Sequence, residues 1–191
     1  MSSPAAPAGN ILRRFRRNHR GSAVVEFALV APIFFGLLFA IIELALVFFA
    51  SQLLETATQD SARAILTGQA QSGQVTVCQV GGVSAPCTQQ TFKDLVCSKL
   101  VVMFDCVNGV SIDVQSYSAF GSVNIADPID ASRNFVAPNN YLPGGPGDIV
   151  VVRIFYQWPL IVTGLGFNIA NLSGSKRLLT ATAAFQNEPY N

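Results

Sequence analysis

Charged residues are scarce in this chain, and histidine is almost absent. Only 12% of the 191 residues are charged while 50% are hydrophobic, which is too apolar for an ordinary soluble domain of this length. Part of the apolar content is therefore expected in lipid. The single histidine, His19, precedes the long apolar run, so the region after that run lacks the histidine of a Ser or Cys hydrolase triad.

Sequence signatures of enzymes and cofactor sites are missing as well. Gly174, Ser175 and Lys176 are not preceded by the glycine of a phosphate-binding loop at the required spacing. Asp105 and Asp113 are carboxylates that could pair for catalysis, but the alternation of polar positions along a strand explains Asp113 without chemistry. We therefore expect neither an enzyme nor a cofactor.

The positive charge is concentrated near the N-terminus. Five of the twelve Lys and Arg residues fall within eight positions directly before the apolar run: Arg13, Arg14, Arg16, Arg17 and Arg20. Such a cluster marks the cytoplasmic flank of a membrane span, whereas nucleic-acid binding needs basic and aromatic residues spread over a folded surface. Residues 1–21 are thus predicted to be a basic cytoplasmic leader, and no nucleic-acid partner is expected.

The apolar run itself covers residues 23–50, and Glu26 and Glu43 are its only charged residues. About 20 apolar residues cross a bilayer, whereas the apolar core of a cleaved secretory signal has about 7–15 residues and ends at a small-residue site that is missing here. Apolar residues continue at helical spacing over residues 52–66 as far as Gly68. We predict one transmembrane and stalk helix over residues 22–68, with the N-terminus inside.

Glu26 and Glu43 each need a partner, a proton or a position near the membrane surface, since a carboxylate at the bilayer centre costs about 2.5–3.5 kcal/mol. They are 17 residues apart. At about 1.5 Å per residue this is roughly 25 Å of helix, so both can lie near opposite interfaces. For Glu43 this interpretation is favoured over a specific partner.

Glu26 has a more specific context, because it lies five residues after Gly21 and directly follows the basic cluster. This arrangement resembles a type IV prepilin cleavage site. The resemblance implies that a membrane peptidase cuts after Gly21, and that Glu26 pairs with the new N-terminal ammonium, on Ser22, of an adjacent subunit. Ser22 stands where many type IV pilins have Phe, and Phe27 where the major pilins of tight-adherence systems have Tyr.

A longer stretch, residues 20–64, resembles the N-terminal module of the TadE-like family of tight-adherence (Flp) pilus assembly proteins. The resemblance is carried by Arg20-Gly21, Glu26-Phe27-Ala28-Leu29, Pro32, Glu43 and Ala62-Arg63-Ala64. The C-terminal region also resembles pseudopilin members, through residues 148–153, Trp158-Pro159 and residues 187–190. Residues 130–134 fail the Asp-x-Ser-x-Ser metal motif of larger adhesin-like relatives at its last position, so no metal site is expected.

The resemblance implies a minor pseudopilin in the bacterial inner membrane, with a single span and its C-terminal domain in the periplasm or in the pilus. Its implied partners are the prepilin peptidase, other pilin or pseudopilin subunits and the inner-membrane assembly platform, besides the lipid bilayer. The alternative is an uncleaved, membrane-anchored adaptor that binds another envelope or secretion component.

Cys78, Cys87, Cys97 and Cys106 all follow the span, on the side predicted to be oxidising, which favours disulfides. Zinc is disfavoured because no Cys-x-x-Cys pair is present and the histidine lies on the other side. Three pairings are open. We prefer Cys97 with Cys106, tying a helix over residues 92–104 to the following turn, which leaves Cys78 with Cys87 across Gly81-Gly82.

Residues 69–191 are predicted to form an extracytoplasmic domain. Runs rich in Val, Ile, Phe and Thr predict strands at 110–117, 149–158 and 178–186. The expected fold class is α+β and pilin-like: a long N-terminal helix, then a small antiparallel sheet with a packed helix. Residues 118–147, rich in Pro and Gly, predict a long loop, interpreted as a solvated connector rather than a binding loop.

Overall fold

The N-terminal helix is the longest element of the computed structural model, which describes residues 21–79, 81–100, 103–163 and 168–190. This helix, α1, covers Ser22–Leu66 and continues through Pro32. It ends because Gly68 adopts a φ of 73°, and a Cβ at that position would lie 2.3 Å from the ring of Tyr190. A short helix, α2 (Gln69–Ser72), follows. The chain divides between Ile42 and Glu43 into two compact units.

A sheet forms the centre of the second unit. The described residues contain three strands, β1 (Val110–Tyr117), β2 (Ile149–Pro159) and β3 (Lys176–Gln186), paired antiparallel in the order β1-β2-β3. The predicted α+β fold is confirmed, and β1 has the predicted bounds. β2 is one residue longer than predicted, and β3 starts two residues earlier.

The central strand β2 is buried on both faces, and its first eight residues are all buried. On one face, Val152 and Ile154 belong to a core that includes Leu54 and Ile65 of α1. The sheet lies along this part of the helix, because the backbone N–H of Glu188, just after β3, donates to the carbonyl of Leu66 at 2.9 Å. The apolar face of the sheet therefore buries the second half of α1.

The helix packed on the sheet, α3, covers Gln89–Lys99 rather than the predicted residues 92–104. It starts earlier because Thr88 and Thr91 form a capping box, in which the Thr88 side chain accepts from the Thr91 N–H at 3.2 Å. It ends earlier because the Cα atoms of Cys97 and Cys106 are only 5.8 Å apart. A helix that continued to residue 104 would have travelled about 10 Å beyond residue 97.

The long loop 118–147 covers the other face of the sheet, which corrects its interpretation as a solvated connector. Ile129 and Phe135 pack against buried Phe155 of β2. Tyr141 forms a parallel bridge with Val114 on the outer edge of β1. Because β2 is apolar on both faces, the second face needs a cover, and the loop provides it.

Candidate functional site

The start of α1 carries the predicted processing site. Gly21 directly precedes the helix, and a Cβ built on it meets nothing within 4 Å. Glu26 lies about one turn into α1, and its side chain is exposed. The predicted topology residues Arg13, Arg14, Arg16, Arg17 and Arg20, and His19, lie outside the described residues.

Apolar side chains point outward along α1 in the first unit. Phe27, Leu29 and Ile33 each expose more than half of their accessible surface. In the part of the chain that the structure describes, α1 is the one helix that is long and apolar enough to cross a membrane. Such a helix is compatible with a single-pass membrane anchor, since its outward apolar surface needs lipid or other helices around it.

Glu43, the first residue of the second unit, is 8% exposed and holds the loop that follows β2. The N–H of Val162 donates to both carboxylate oxygens, at 3.2 Å and 3.1 Å, and the N–H of Ile161 donates to Oε1. Burial of a carboxylate costs free energy unless the group is hydrogen-bonded. The N–H groups of Ile161 and Val162 can supply these bonds because they lie beyond the end of β2, outside the strand pairing.

From the sequence, a position near the membrane surface was favoured for Glu43 over a specific partner. This interpretation was incomplete, because the structure gives Glu43 specific partners. The donors lie more than a hundred residues away in sequence, and they are backbone groups, which every residue but proline carries. Nothing in the local sequence around Glu43 or Ile161 indicates this contact.

A buried ion pair lies on the loop-covered face of the sheet. Asp113 of β1 and Arg153 of β2 are directly opposite in the strand register, with Nη2 and Oδ2 2.6 Å apart and exposures of 1% and 5%. Asn140 Nδ2 donates to Asp113 Oδ1 at 2.9 Å, and Arg153 Nη1 donates to the Ala126 carbonyl at 2.8 Å. The pair thus fastens loop 118–147 to the sheet.

Asp113 had been explained from the sequence as an alternating polar position on a strand. That explanation was wrong about its surroundings, since the carboxylate is buried and paired. The signal that could have identified the pair was Arg153, a cation within the otherwise apolar run 149–156.

All four cysteines are in disulfides, Cys78 with Cys87 and Cys97 with Cys106, the same pairs as in the preferred pairing. The first bridge is buried and lies beside α2, where the N–H of Cys87 donates to the Ala70 carbonyl at 2.8 Å. The second joins the last turn of α3 to the segment before β1. Both bridges stabilise irregular segments outside the sheet.

Among the comparisons with known proteins, one family match was found, and it lies on α1. The model of the family described as TadE-like protein matches residues 21–63. No curated protein and no solved structure matches the chain. The family match ends before the C-terminal segments that also resembled pseudopilins. The TadE-like resemblance is confirmed for the N-terminal helix, and the chain therefore carries a TadE-like segment joined to a unit built on an antiparallel sheet.

Proposed function

We propose that this chain is a minor pseudopilin-like membrane protein that takes part in the assembly of a tight-adherence (Flp, type IV-like) pilus. The observation that carries the proposal is the TadE-like match on a helix whose apolar side chains face outward. The TadE-like family points to a protein associated with the Tad pilus, with a structural rather than a catalytic role. Other pilin or pseudopilin subunits supply helices that cover this apolar surface during assembly.

The same proposal assigns the topology. Residues 1–21 form the cytoplasmic leader, residues 22–68 the anchor and stalk, and residues 69–191 the periplasmic domain, in the bacterial inner membrane or in the pilus. Two disulfides in residues 69–191 support an oxidising compartment for that domain. The basic cluster supports a cytoplasmic N-terminus, which can meet the assembly platform.

Processing and assembly are linked in this proposal through Gly21 and Glu26. The prepilin peptidase cuts after Gly21, where the absence of a side chain and the open space around the residue allow close approach. The new ammonium on Ser22 then pairs with Glu26 of an adjacent subunit. Each charge alone is costly in lipid, so their pairing favours the assembled state over the lone subunit.

The test is mass spectrometry of the membrane-extracted, unreduced protein from cells with and without their prepilin peptidase. We expect a mature N-terminus at Ser22 only when the peptidase is present. Gly21→Val should block this cleavage, while the matched change Gly121→Val, at an exposed glycine with equally open space around it, should not. An intact leader in both strains would contradict processing and favour the uncleaved adaptor that binds another envelope or secretion component.

A further inference from the structure

One end of the sheet lies beside Glu43, and the other end lies beside Leu66. At the Glu43 end, β2 finishes at Pro159, and the carboxylate of Glu43 holds the backbone of Ile161 and Val162. The side chain of Ile161 is not buried by this contact and is 89% exposed. An isoleucine is thus presented outward on a loop whose backbone is fixed.

The same end of the sheet carries an aromatic residue and two cations. Trp158, the only tryptophan of the chain, is opposite Arg177 in the strand register, and Pro159 is opposite Lys176. Trp158 and Arg177 are half-buried, and Lys176 is exposed. Tryptophan favours the interface between membrane and water, and basic side chains extend from apolar surroundings toward headgroups.

The length of the apolar segment before Glu43 puts this residue near the surface of the bilayer on the side of the sheet. Residues 23–42 number twenty and belong to α1, and about twenty helical residues cross the hydrocarbon core. Beyond Glu43, α1 exposes four further apolar side chains: Leu44, Leu46, Phe48 and Phe49. The headgroup regions extend the bilayer from about 30 Å to about 40–45 Å, which is roughly 5–7 Å on each side, so the first turn of helix after Glu43 lies in the interfacial layer.

We propose that the end of the sheet beside Glu43 docks on the outer surface of the lipid bilayer. The docking edge consists of Trp158, Ile161, Lys176 and Arg177. Ile161 enters the interfacial layer, Trp158 lies at headgroup depth, and the two cations meet lipid phosphates. Glu43 sets the height of the loop by holding its backbone on α1. Docking of this edge requires that α1 crosses a bilayer, and it does not require cleavage after Gly21.

The test places tryptophan reporters in the full-length protein, reconstituted in vesicles of equal parts phosphatidylethanolamine and phosphatidylglycerol. The reporter chain combines Trp158→Phe with Ile161→Trp. The matched control combines Trp158→Phe with Val83→Trp, because Val83 is also an exposed apolar residue, at 68%, but lies between the cysteines of the disulfide beside α2. Brominated phospholipids should quench the reporter several-fold more than the control, and aqueous iodide should quench mainly the control.

Two results would overturn the docking edge. A reporter quenched by iodide as strongly as the control would place the loop in water. A reporter shielded from both iodide and bromolipid would show that protein, such as a second copy of the chain, covers the edge. If Trp158→Phe does not fold, Ile161→Trp is made with Trp158 retained, and the wild-type signal is subtracted to give the same comparison.

The cations are tested separately by Lys176→Gln with Arg177→Gln in the reporter chain. Bromolipid quenching should fall in the phosphatidylglycerol vesicles and change little in vesicles of phosphatidylcholine alone, because anionic headgroups attract the two side chains. Equal quenching with and without the substitutions in both vesicle types would overturn the role of Lys176 and Arg177.

Discussion

At the scale of single residues, the buried pair Asp113 and Arg153 should dominate the stability of the second unit. Asp113→Asn leaves the guanidinium buried without its charge partner, and breaking such a pair typically costs about 3–5 kcal/mol. The double change Asp113→Leu with Arg153→Met removes both charges and should cost less. Thermal unfolding of the detergent-solubilised chain, followed by near-ultraviolet circular dichroism, measures both effects.

The control for this prediction is Asp105→Asn, which changes an exposed carboxylate and should alter the midpoint little. If Asp113→Asn unfolds at the same temperature as this control, the pair does not hold the loop to the sheet. A double variant less stable than Asp113→Asn alone would show that the two residues contribute through packing and not through charge.

We expect the buried hydroxyl of Tyr141 to make folding stability fall at alkaline pH. Burial raises the pKa of its hydroxyl above the ordinary value, because the charged phenolate is disfavoured there. The neutral Tyr141 hydroxyl therefore contributes fully to folding stability below about pH 10, the ordinary tyrosine pKa. This contribution is lost as the pH rises through the higher pKa that the hydroxyl has in the folded state. Tyr141→Phe should remove the late step from the ultraviolet titration of tyrosinate.

At neutral pH, Tyr141→Phe should change the unfolding midpoint little. The hydroxyl has no hydrogen-bond partner among the described residues, so its removal leaves no other group unsatisfied. Tyr190→Phe serves as a second variant, since desolvation and then the nearby charge of Asp148 raise the pKa of that hydroxyl too. A late titration step that persists in Tyr141→Phe and disappears in Tyr190→Phe would contradict the assignment.

The residues that the sequence could identify were those with a local pattern. The preferred cysteine pairs rested on a predicted helix and on the Gly81-Gly82 turn, and the structure has the same pairs, whereas the roles of Gly21 and Glu26 stay predictions from the resemblance to prepilin sites.

The partners of Glu43 could not be predicted, because the Ile161 and Val162 backbone comes from a distant segment. The pairing of Asp113 with Arg153 depends on the register of β1 and β2, although a cation within an apolar run was a signal for it.

At the scale of elements, the two disulfides should differ in their resistance to reduction. Cys78 and Cys87 are buried, whereas Cys97 and Cys106 are half-buried. A thiol reductant needs access to a sulfur, so limited reduction under native conditions should open Cys97–Cys106 first. Alkylation of the freed thiols followed by mass spectrometry gives the order, and equal rates for both bridges would contradict the difference in access.

Removing the second bridge measures its part in holding α3. The variant Cys97→Ala with Cys106→Ala frees a short loop, and the chain-entropy relation gives a cost of roughly 2–3 kcal/mol. Because Phe92 and Val96 stay buried against the sheet, α3 itself should remain folded. Helix content by far-ultraviolet circular dichroism should therefore change little while the unfolding midpoint falls.

The sequence predicted the three strands and α3, but it located the ends of α3 less well. Strand β1 begins with alternating apolar and polar residues, and β2 is a nearly continuous apolar run interrupted by Arg153. The ends of α3 depended on a threonine capping box and on the bridge at Cys97, two constraints that apolar periodicity does not contain. The role of loop 118–147 followed from the two-faced burial of β2, which only the strand order reveals.

At the scale of the whole molecule, the stalk and the sheet behave as one body in the second unit. Contacts at Glu43 and at Leu66 fasten the two ends of the sheet to the same helix. The part of α1 from Glu43 to Leu66 and the sheet therefore belong to one compact unit. Glu26 lies in the other unit, and its charge is the feature on which the proposed assembly depends.

Glu26→Gln removes the charge but keeps the size of the side chain. In the proposed mechanism it should still insert in the membrane and be cleaved after Gly21, but it should be lost from sheared pilus fractions, because the Ser22 ammonium of its neighbour lacks a counter-charge in lipid. Glu55→Gln is the matched control on the same helix, outside the apolar run. Normal recovery of Glu26→Gln in pili would exclude the ion pair as the driving contact, whereas loss of both variants would point to the stalk surface.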